Sequence, residues 1–251
     1  MNKLVSVIMP SYNSKRYIQD AIESVMSQSY GNWEMIIVDD CSTDDSVEFI
    51  RRLIDGEGRI TLITLDINTG AALARNKAIE LAKGQYVAFL DSDDMWAKDK
   101  LKIQVNYMLE NNSAFSYMAY RVCNEAASEI IGEIAVPLQL NLQQYLGNTI
   151  IGCLTVMLDA EKFNEIKMPN LRSSHDMALW ADLLKLIDKA DGINIPLSTY
   201  RLVETSNTAN KWKASMDVWA VYRNHLKLNI FSSSYHFVQY AFNAMKKRMY
   251  K

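Results

Sequence analysis

The chain has 251 residues, 49% of them hydrophobic and 22% charged, with a formal net charge of −2. That is ample for one sizeable core in one or two lobes, and no linker, internal repeat or low-complexity tract is visible. No run reaches the ~18 apolar residues of a membrane span, no signal-peptide pattern precedes the first strand-like run, and Cys41, Cys123 and Cys153 are too scattered for a metal motif, which points to a reduced, cytosolic compartment.

The first hundred residues alternate strand and helix. Val5 to Met9 is a short apolar strand, and apolar residues at 17, 18, 21, 22, 25 and 26 predict a helix over Tyr17 to Gln28. Met35 to Val38 is a second buried strand ending at Asp39-Asp40, followed by a helix over Ser46 to Ile54. Ile60 to Leu65 is a third strand, Ala71 to Ala82 a helix and Tyr86 to Leu90 a fourth strand. Such alternation predicts an α/β fold with a mostly parallel sheet and helices on both faces. Past residue 115 the pattern loosens. Phe115 to Val122, Glu129 to Val136 and Gly152 to Leu158 read as strands, and Leu138 to Leu146 and Ser174 to Ile187 as helices. A further strand precedes Arg201, and the tail from Ala214 onward is helical.

Ligands bind such sheets beyond the carboxyl ends of the strands. Those ends carry Pro10-Ser11-Tyr12-Asn13, Asp39-Asp40 and Asp91-Ser92-Asp93, three polar signals on one rim. The apolar run Tyr86 to Leu90 ends in three carboxylates within four residues, Asp91, Asp93 and Asp94. Clustered like charges cost stability unless something binds them. Asp91 and Asp93 are spaced to share one cation, and oxygen-only ligands favour Mg²⁺ or Mn²⁺. A competing role is capping of the helix expected near Lys98 by Asp93 or Asp94.

Four motifs in order resemble those of the family-2 glycosyltransferases with a GT-A fold. They are Val5-Ser6-Val7-Ile8-Met9-Pro10-Ser11-Tyr12-Asn13, Ile36-Ile37-Val38-Asp39-Asp40-Cys41-Ser42-Thr43-Asp44, Gly70-Ala71-Ala72-Leu73-Ala74-Arg75-Asn76-Lys77-Ala78-Ile79 and Phe89-Leu90-Asp91-Ser92-Asp93-Asp94. The resemblance implies a nucleotide-sugar site built from Pro10, Tyr12, Asn13, Asp40, Arg75, Asp91, Ser92 and Asp93. Tyr12 would stack on the pyrimidine, or else be an ordinary strand-end aromatic. Asp40 would accept the imide N–H of uracil, or serve as a turn acid before the helix at Ser46. Arg75 would bridge phosphate oxygens, or be a solvated surface arginine. Asp91 would meet the ribose and, with Asp93, the metal (Mn²⁺ or Mg²⁺) that holds the diphosphate; Asp94 is second support or a helix cap.

The family's base is an acid just before a helix, commonly the Asp of a Glu-Asp pair. The matching position here reads Ser174-His175-Asp176, so the resemblance implies Asp176 as the general base, with His175 in place of the usual Glu. Capping of the helix by Ser174 or Asp176 is the plainer role for those residues. Trp180 either packs or stacks on a sugar face. Arg201 or Lys211, in the region of Ser206-Asn207-Thr208, would reach the diphosphate from a mobile loop, or be solvated loop charges.

The expected organisation is a GT-A domain over 1–205, split into a nucleotide-sugar half (1–112) and an acceptor half (113–205), with a helical region over 206–251. Residues 211 to 251 hold eight Lys/Arg and a single acid, Asp217, among many aromatics. Residues 212–230 are expected to pack on the catalytic lobe. Residues 235–251 either pack or anchor on an anionic bilayer.

The family implies an inverting, metal-dependent transfer from a UDP-sugar to a saccharide hydroxyl. The expected acceptor is linked to a polyprenyl diphosphate, within bacterial surface-polysaccharide synthesis. The implied setting is cytoplasmic, peripheral on the inner face of the membrane, with no nucleic-acid partner. Alternatives are a nucleotidyltransferase, which usually carries a glycine-rich phosphate loop where Pro10-Ser11-Tyr12-Asn13 stands, and a non-catalytic nucleotide-sugar-binding or membrane-scaffold protein. No G-x-G-x-x-G follows the first strand, which disfavours a dinucleotide oxidoreductase.

Overall fold

Successive side chains of a strand point to opposite faces, and here both faces are apolar. In β1 (Val5–Ser11), Val5, Val7 and Met9 enter one core and Ile8 the other. In β2 (Trp33–Asp39), Met35 and Ile37 alternate in the same way with Ile36 and Val38. A strand buried on both sides needs a layer of helices above and below it. The computed structural model describes residues 3–203 and 211–249. It shows that arrangement, with β3 (Ile60–Thr64), β2, β1 and β4 (Tyr86–Phe89) forming a continuous parallel ladder. Helices α1 (Ile18–Met26), α2 (Ser46–Leu53) and α3 (Ala71–Leu81) connect these strands.

The second half continues the same sheet. After β5 (Met95–Trp96) and α4 (Lys100–Asn111) come β6 (Phe115–Cys123), β7 (Ile130–Ile134) and β8 (Gln139–Leu140). Then follow α5 (Leu142–Gly147), β9 (Met157–Asp159), α6 (His175–Leu183) and β10 (Ala190–Arg201). The order is β3-β2-β1-β4-β9-β6-β10-β5, with β7 on β6 and β8 on β10. Strands β6 and β10 are parallel, and the shorter β5, β7, β8 and β9 run antiparallel to their neighbours. One sheet therefore spans both expected halves of the GT-A unit.

Several expectations need correction. The strand expected over 152–158 is a 3₁₀ turn, Cys153–Thr155, and then β9, because Thr155 Oγ1 turns back to donate to Gly152 O (2.7 Å). The helix expected from Leu138 starts only at Leu142, where Asn141 and Gln144 form a reciprocal capping box; the residues before it pair as β8. The helix expected to Ile187 ends at Leu183. Asp93 and Asp94 cap nothing, since β5 intervenes before α4 begins at Lys100. Arg201 does not follow its strand but is its last residue.

The tail packs as its apolar content requires. Helix α7 (Lys211–Ala220) and the π-turn Val221–His225 put Val218, Val221 and Tyr222 into the main core. Helix α8 (Ile230–Met249) lies on α5, where Asn243 Nδ2 donates to Gly147 O (2.9 Å). Its other side exposes Phe231, Tyr235, Val238, Phe242 and Met245, spaced by three and four residues. No helix among the described residues is long and apolar enough to cross a membrane.

Gly84 sets the approach to β4. Its N–H donates to Ser6 Oγ (2.8 Å), and a Cβ there would stand 2.6 Å from the backbone nitrogen of Ser6. Backbone has little room to give, so Gly84→Ala is expected to cost about 1–3 kcal/mol, the range for overpacking. Denaturant unfolding of the two proteins checks this.

Candidate active site

The carboxyl ends of β1 and β2 are joined by one buried acid. The Asp39 carboxylate accepts from Ser42 N (2.8 Å), Ser42 Oγ (2.6 Å) and Ser11 Oγ (3.2 Å). Ser42 Oγ in turn accepts from Asn13 N, and Asn13 Oδ1 accepts from Thr43 N (2.8 Å). Asn13 and Cys41 both hold left-handed backbone, at φ 48° and 62°. Such conformations cost energy and persist where surroundings over-determine them. The loops that carry Tyr12 and Asp40 are thus fixed to each other. Tyr12 is 49% exposed and makes no ring contact among the described residues, so its face is open to the cleft.

Asp40 faces the cleft while holding the next loop. Its Oδ1 accepts from Thr69 N (2.7 Å) and Thr69 Oγ1 (2.9 Å), and its Oδ2 from Gly70 N (2.7 Å). Gly70 sits at φ +90°, a value that favours glycine. The turn role expected for Asp40 before Ser46 belongs to Asp44, whose Oδ1 accepts from Ser46 N (2.9 Å). Asp40 therefore sets where α3 begins.

The four residues from Asp91 to Asp94 divide their work. Asp94 is buried and accepts from Arg201 N (3.0 Å). Burial first, then Asp93 and Asp91, push its pKa well up. Asp93 makes no side-chain hydrogen bond to another residue among the described ones, and burial followed by the Asp91 charge raises its pKa to about 6. Arg201 is neither a solvated loop charge nor free to reach a diphosphate. It is 3% exposed and donates to Asp93 O (2.8 Å), Glu125 O (2.8 Å) and Asp20 Oδ2 (2.6 Å). Ser206 to Thr208 lie outside the described residues, as does the side chain of Lys211.

Arg75 is not a surface residue either. Its side chain is 6% exposed, forms an ion pair with Asp91 and donates from Nη1 to His175 Nε2 (2.6 Å). His175 Nδ1 faces Leu171 O (3.3 Å), which makes Nδ1 the protonated nitrogen and Nε2 the acceptor. Burial and the Arg75 charge lower the His175 pKa, so the ring is neutral at pH 7. Asp176 stands in the first turn of α6 and faces the cleft. Ser174 precedes it in left-handed backbone (φ 55°), and no side chain caps the helix, which removes the capping role. Trp180 cannot stack on a sugar: it is fully buried against Phe89 and Phe115, at 5.2 and 5.4 Å between ring centroids.

One cleft of about 880 Å³ brings together Pro10, Tyr12, Asn13, Asp40, Arg75, Asp91, Ser92, Asp93 and Asp176. Ser11, Asp94, Ser174 and His175, also named from the sequence, line the same cleft, whereas other parts of its wall were not assigned to the site. Tyr120 and Tyr200 come from β6 and β10, Cys153 from the 3₁₀ turn, Arg172 from the segment before α6, and Ala214 and Asp217 from α7. Arg172 was within reach, three residues before the motif around His175; the others carry no local signal.

Comparison with known proteins identifies the family and the fold. The model of "Glycosyl transferase family 2" matches residues 6–158. The chain is 49% identical over 246 residues to TuaG of Bacillus subtilis, a protein named for teichuronic acid biosynthesis, covering 98% of each chain. It is 37% identical over 249 residues, 98% of this chain and 96% of the other, to an Escherichia coli protein, WfgD. That protein is named UDP-Glc:alpha-D-GlcNAc-diphosphoundecaprenol beta-1,3-glucosyltransferase. Among solved structures, S. aureus TarS 1–349 with UDP-GlcNAc matches at TM-score 0.73 and 19% identity, over 94% of this chain and 71% of that one. The mannosyltransferase PcManGT of Pyrobaculum calidifontis, with GDP-Man and Mn²⁺, matches at 0.70 and 16%, over 100% and 76%. The chain belongs to glycosyl transferase family 2 and has the GT-A fold.

Proposed function

We propose that this glycosyltransferase moves a hexose, with inversion, from a UDP-sugar to a hydroxyl of a polyprenyl-diphosphate-linked saccharide during surface-polysaccharide synthesis. The observation that carries this is a single cleft lined by two sets of acids from different elements. Asp91 and Asp93 stand at the end of β4 and Asp176 at the start of α6, with Arg75 tied to both elements. The E. coli relative, named for UDP-Glc and a diphosphoundecaprenol acceptor, supports the donor and acceptor classes. The TarS structures in complex with UDP and UDP-GlcNAc support the donor.

In this reading Tyr12 stacks on uracil, and Asp40 accepts the imide N–H with lone-pair capacity left beside Thr69 and Gly70. Pro10, Asn13 and Ser92 line the nucleotide-sugar side. Arg75, through its ion pair, holds Asp91 aimed at the donor rather than bridging phosphates itself. Asp176 takes the proton from the acceptor hydroxyl as the oxygen attacks the anomeric carbon. With no second carboxylate assigned as nucleophile, one displacement inverts that carbon.

The donor set fits a divalent cation. Asp93 is unengaged and Asp91 has one oxygen outside its ion pair, both offering hard oxygens. No group of three or more ligating side chains occurs among the described residues. Mg²⁺ and Mn²⁺ suit that sparse supply, since they take one or two carboxylates and fill the remainder with phosphate oxygens and water. A bound cation supplies positive charge against the departing diphosphate. The protein would work in the cytoplasm, with the basic, aromatic C-terminal region touching the inner face of the membrane. The residues divide into a catalytic unit over 1–205 and this region over 206–251.

A donor panel with Mn²⁺ or Mg²⁺ is expected to show slow UDP release from one UDP-sugar, abolished by EDTA. Binding of UDP-sugar with no release, even with acceptor present, would make this a binding protein instead. Asp93→Ala is expected to lose metal-dependent donor binding. Asp176→Asn should keep it and lose about 10²–10⁴-fold in turnover, the usual worth of a general base; transfer at the parent rate would remove Asp176 from that role. The raised pKa of Asp93 gives a pH test. Below about 6 a cation must displace its proton, so Mn²⁺ affinity of the free protein should fall roughly tenfold per pH unit there and level off above it. Calorimetric titration from pH 5 to 8 reads this directly.

A further inference from the structure

The cleft wall is strongly acidic, with Asp40, Asp91, Asp93, Asp94, Asp176 and Asp217 against two arginines, Arg75 and Arg172. Arg75 is already committed to Asp91 and His175. Arg172 is exposed and makes no hydrogen bond or ion pair among the described residues. Ser173 and Ser174 follow it on the same wall, and their hydroxyls are likewise without hydrogen bonds among the described residues. A guanidinium fork beside two hydroxyls matches the oxygens of a phosphate or diphosphate.

Position decides which diphosphate. Tyr12 and Asp40 come from the ends of β1 and β2, on one side of β4 in the sheet. Helix α6 packs over β4 and β6 through Trp180, on the other side. Arg172 is on the segment leading into α6, four residues before Asp176, and so belongs to the wall of the base. An acceptor sugar that presents a hydroxyl to Asp176 carries its own diphosphate about one ring width away. Its negative charge would be repelled by the acids of the cleft unless a free cation received it.

We propose that Arg172, with Ser173 and Ser174, binds the diphosphate of the lipid-linked acceptor and not that of the donor. This rests on the transferase reading above. It makes Arg172 a recognition residue that discriminates diphosphate-linked saccharides from free ones.

The test uses the whole protein saturated with UDP and Mn²⁺, titrated with farnesyl diphosphate, and with farnesol as the control for lipid contact. The expected result is binding of farnesyl diphosphate that weakens at least tenfold in Arg172→Ala, with UDP affinity within twofold of the parent. Arg172→Lys should fall between them, because it keeps the charge and loses the fork. The proposal is overturned by equal affinity in Arg172→Ala, by farnesol binding as tightly as farnesyl diphosphate, or by no binding to the UDP-loaded parent. It is also overturned if Arg172→Ala loses UDP affinity in parallel, which would place Arg172 on the donor. Failure of the parent to bind UDP at all would instead remove the transferase reading.

Discussion

A buried guanidinium must be paired, and the pairing of Arg75 organises the cleft. Removing one partner of such a pair typically costs about 3–5 kcal/mol, because an uncompensated charge is left behind. Arg75 rises from α3 and meets Asp91 at the end of β4 and His175 at the start of α6. Three elements distant in sequence are thereby held in one frame. The usual Glu of the family would bring a second negative charge to Arg75. Here His175 supplies a neutral acceptor, kept neutral by burial and by Arg75 itself. Asp91 is then the carboxylate paired with that cation, and the Asp176 wall is positioned by the same contact.

The acids around the cleft divide into those that hold backbone and those that face ligand. Asp39 joins two loops, Asp94 fixes the end of β10, and Asp40 secures the start of α3 while still facing the cavity. Asp93 and Asp176 line the cleft and make no side-chain hydrogen bond to another residue among the described ones. Arg201 completes this frame from the far side by holding the Asp93 carbonyl, so a cation that looks like a ligand-binding group acts on the backbone of the motif instead. Left-handed backbone at Asn13, Cys41 and Ser174 lies on the loops that form the rim. That strain is held by the hydrogen bonds of Asp39 and by the neighbouring packing of α6.

The C-terminal helices are part of the same construction. Val218 and Tyr222 enter the main core, while Ala214 and Asp217 of α7 close one edge of the cleft. Helix α8 uses one face on α5 and leaves an apolar stripe outside, next to a basic sequence.

The alternation of short apolar runs with helical periodicity was enough to read the β1–β4 ladder, because strands buried on both faces leave an unmistakable run of Val, Ile and Met. The polar residues at their ends were legible for the same reason: a sheet of this kind delivers its carboxyl ends to one rim. What a single sequence could not express is what each polar group meets. Arg75 and Arg201 look alike as lone cations; only long-range packing puts Asp91 and His175 beside one and Asp20 and Glu125 beside the other. The second half was less readable, because β9 and β8 are three and two residues long and owe their existence to partners rather than to their own pattern. The sequence by itself determined the sheet, its rim and the acids placed there. Tertiary structure decided which of those acids are engaged and which are left without a partner among the described residues, since that depends on contacts such as Arg75–His175 and Arg201–Asp94, between residues 100 and 107 positions apart.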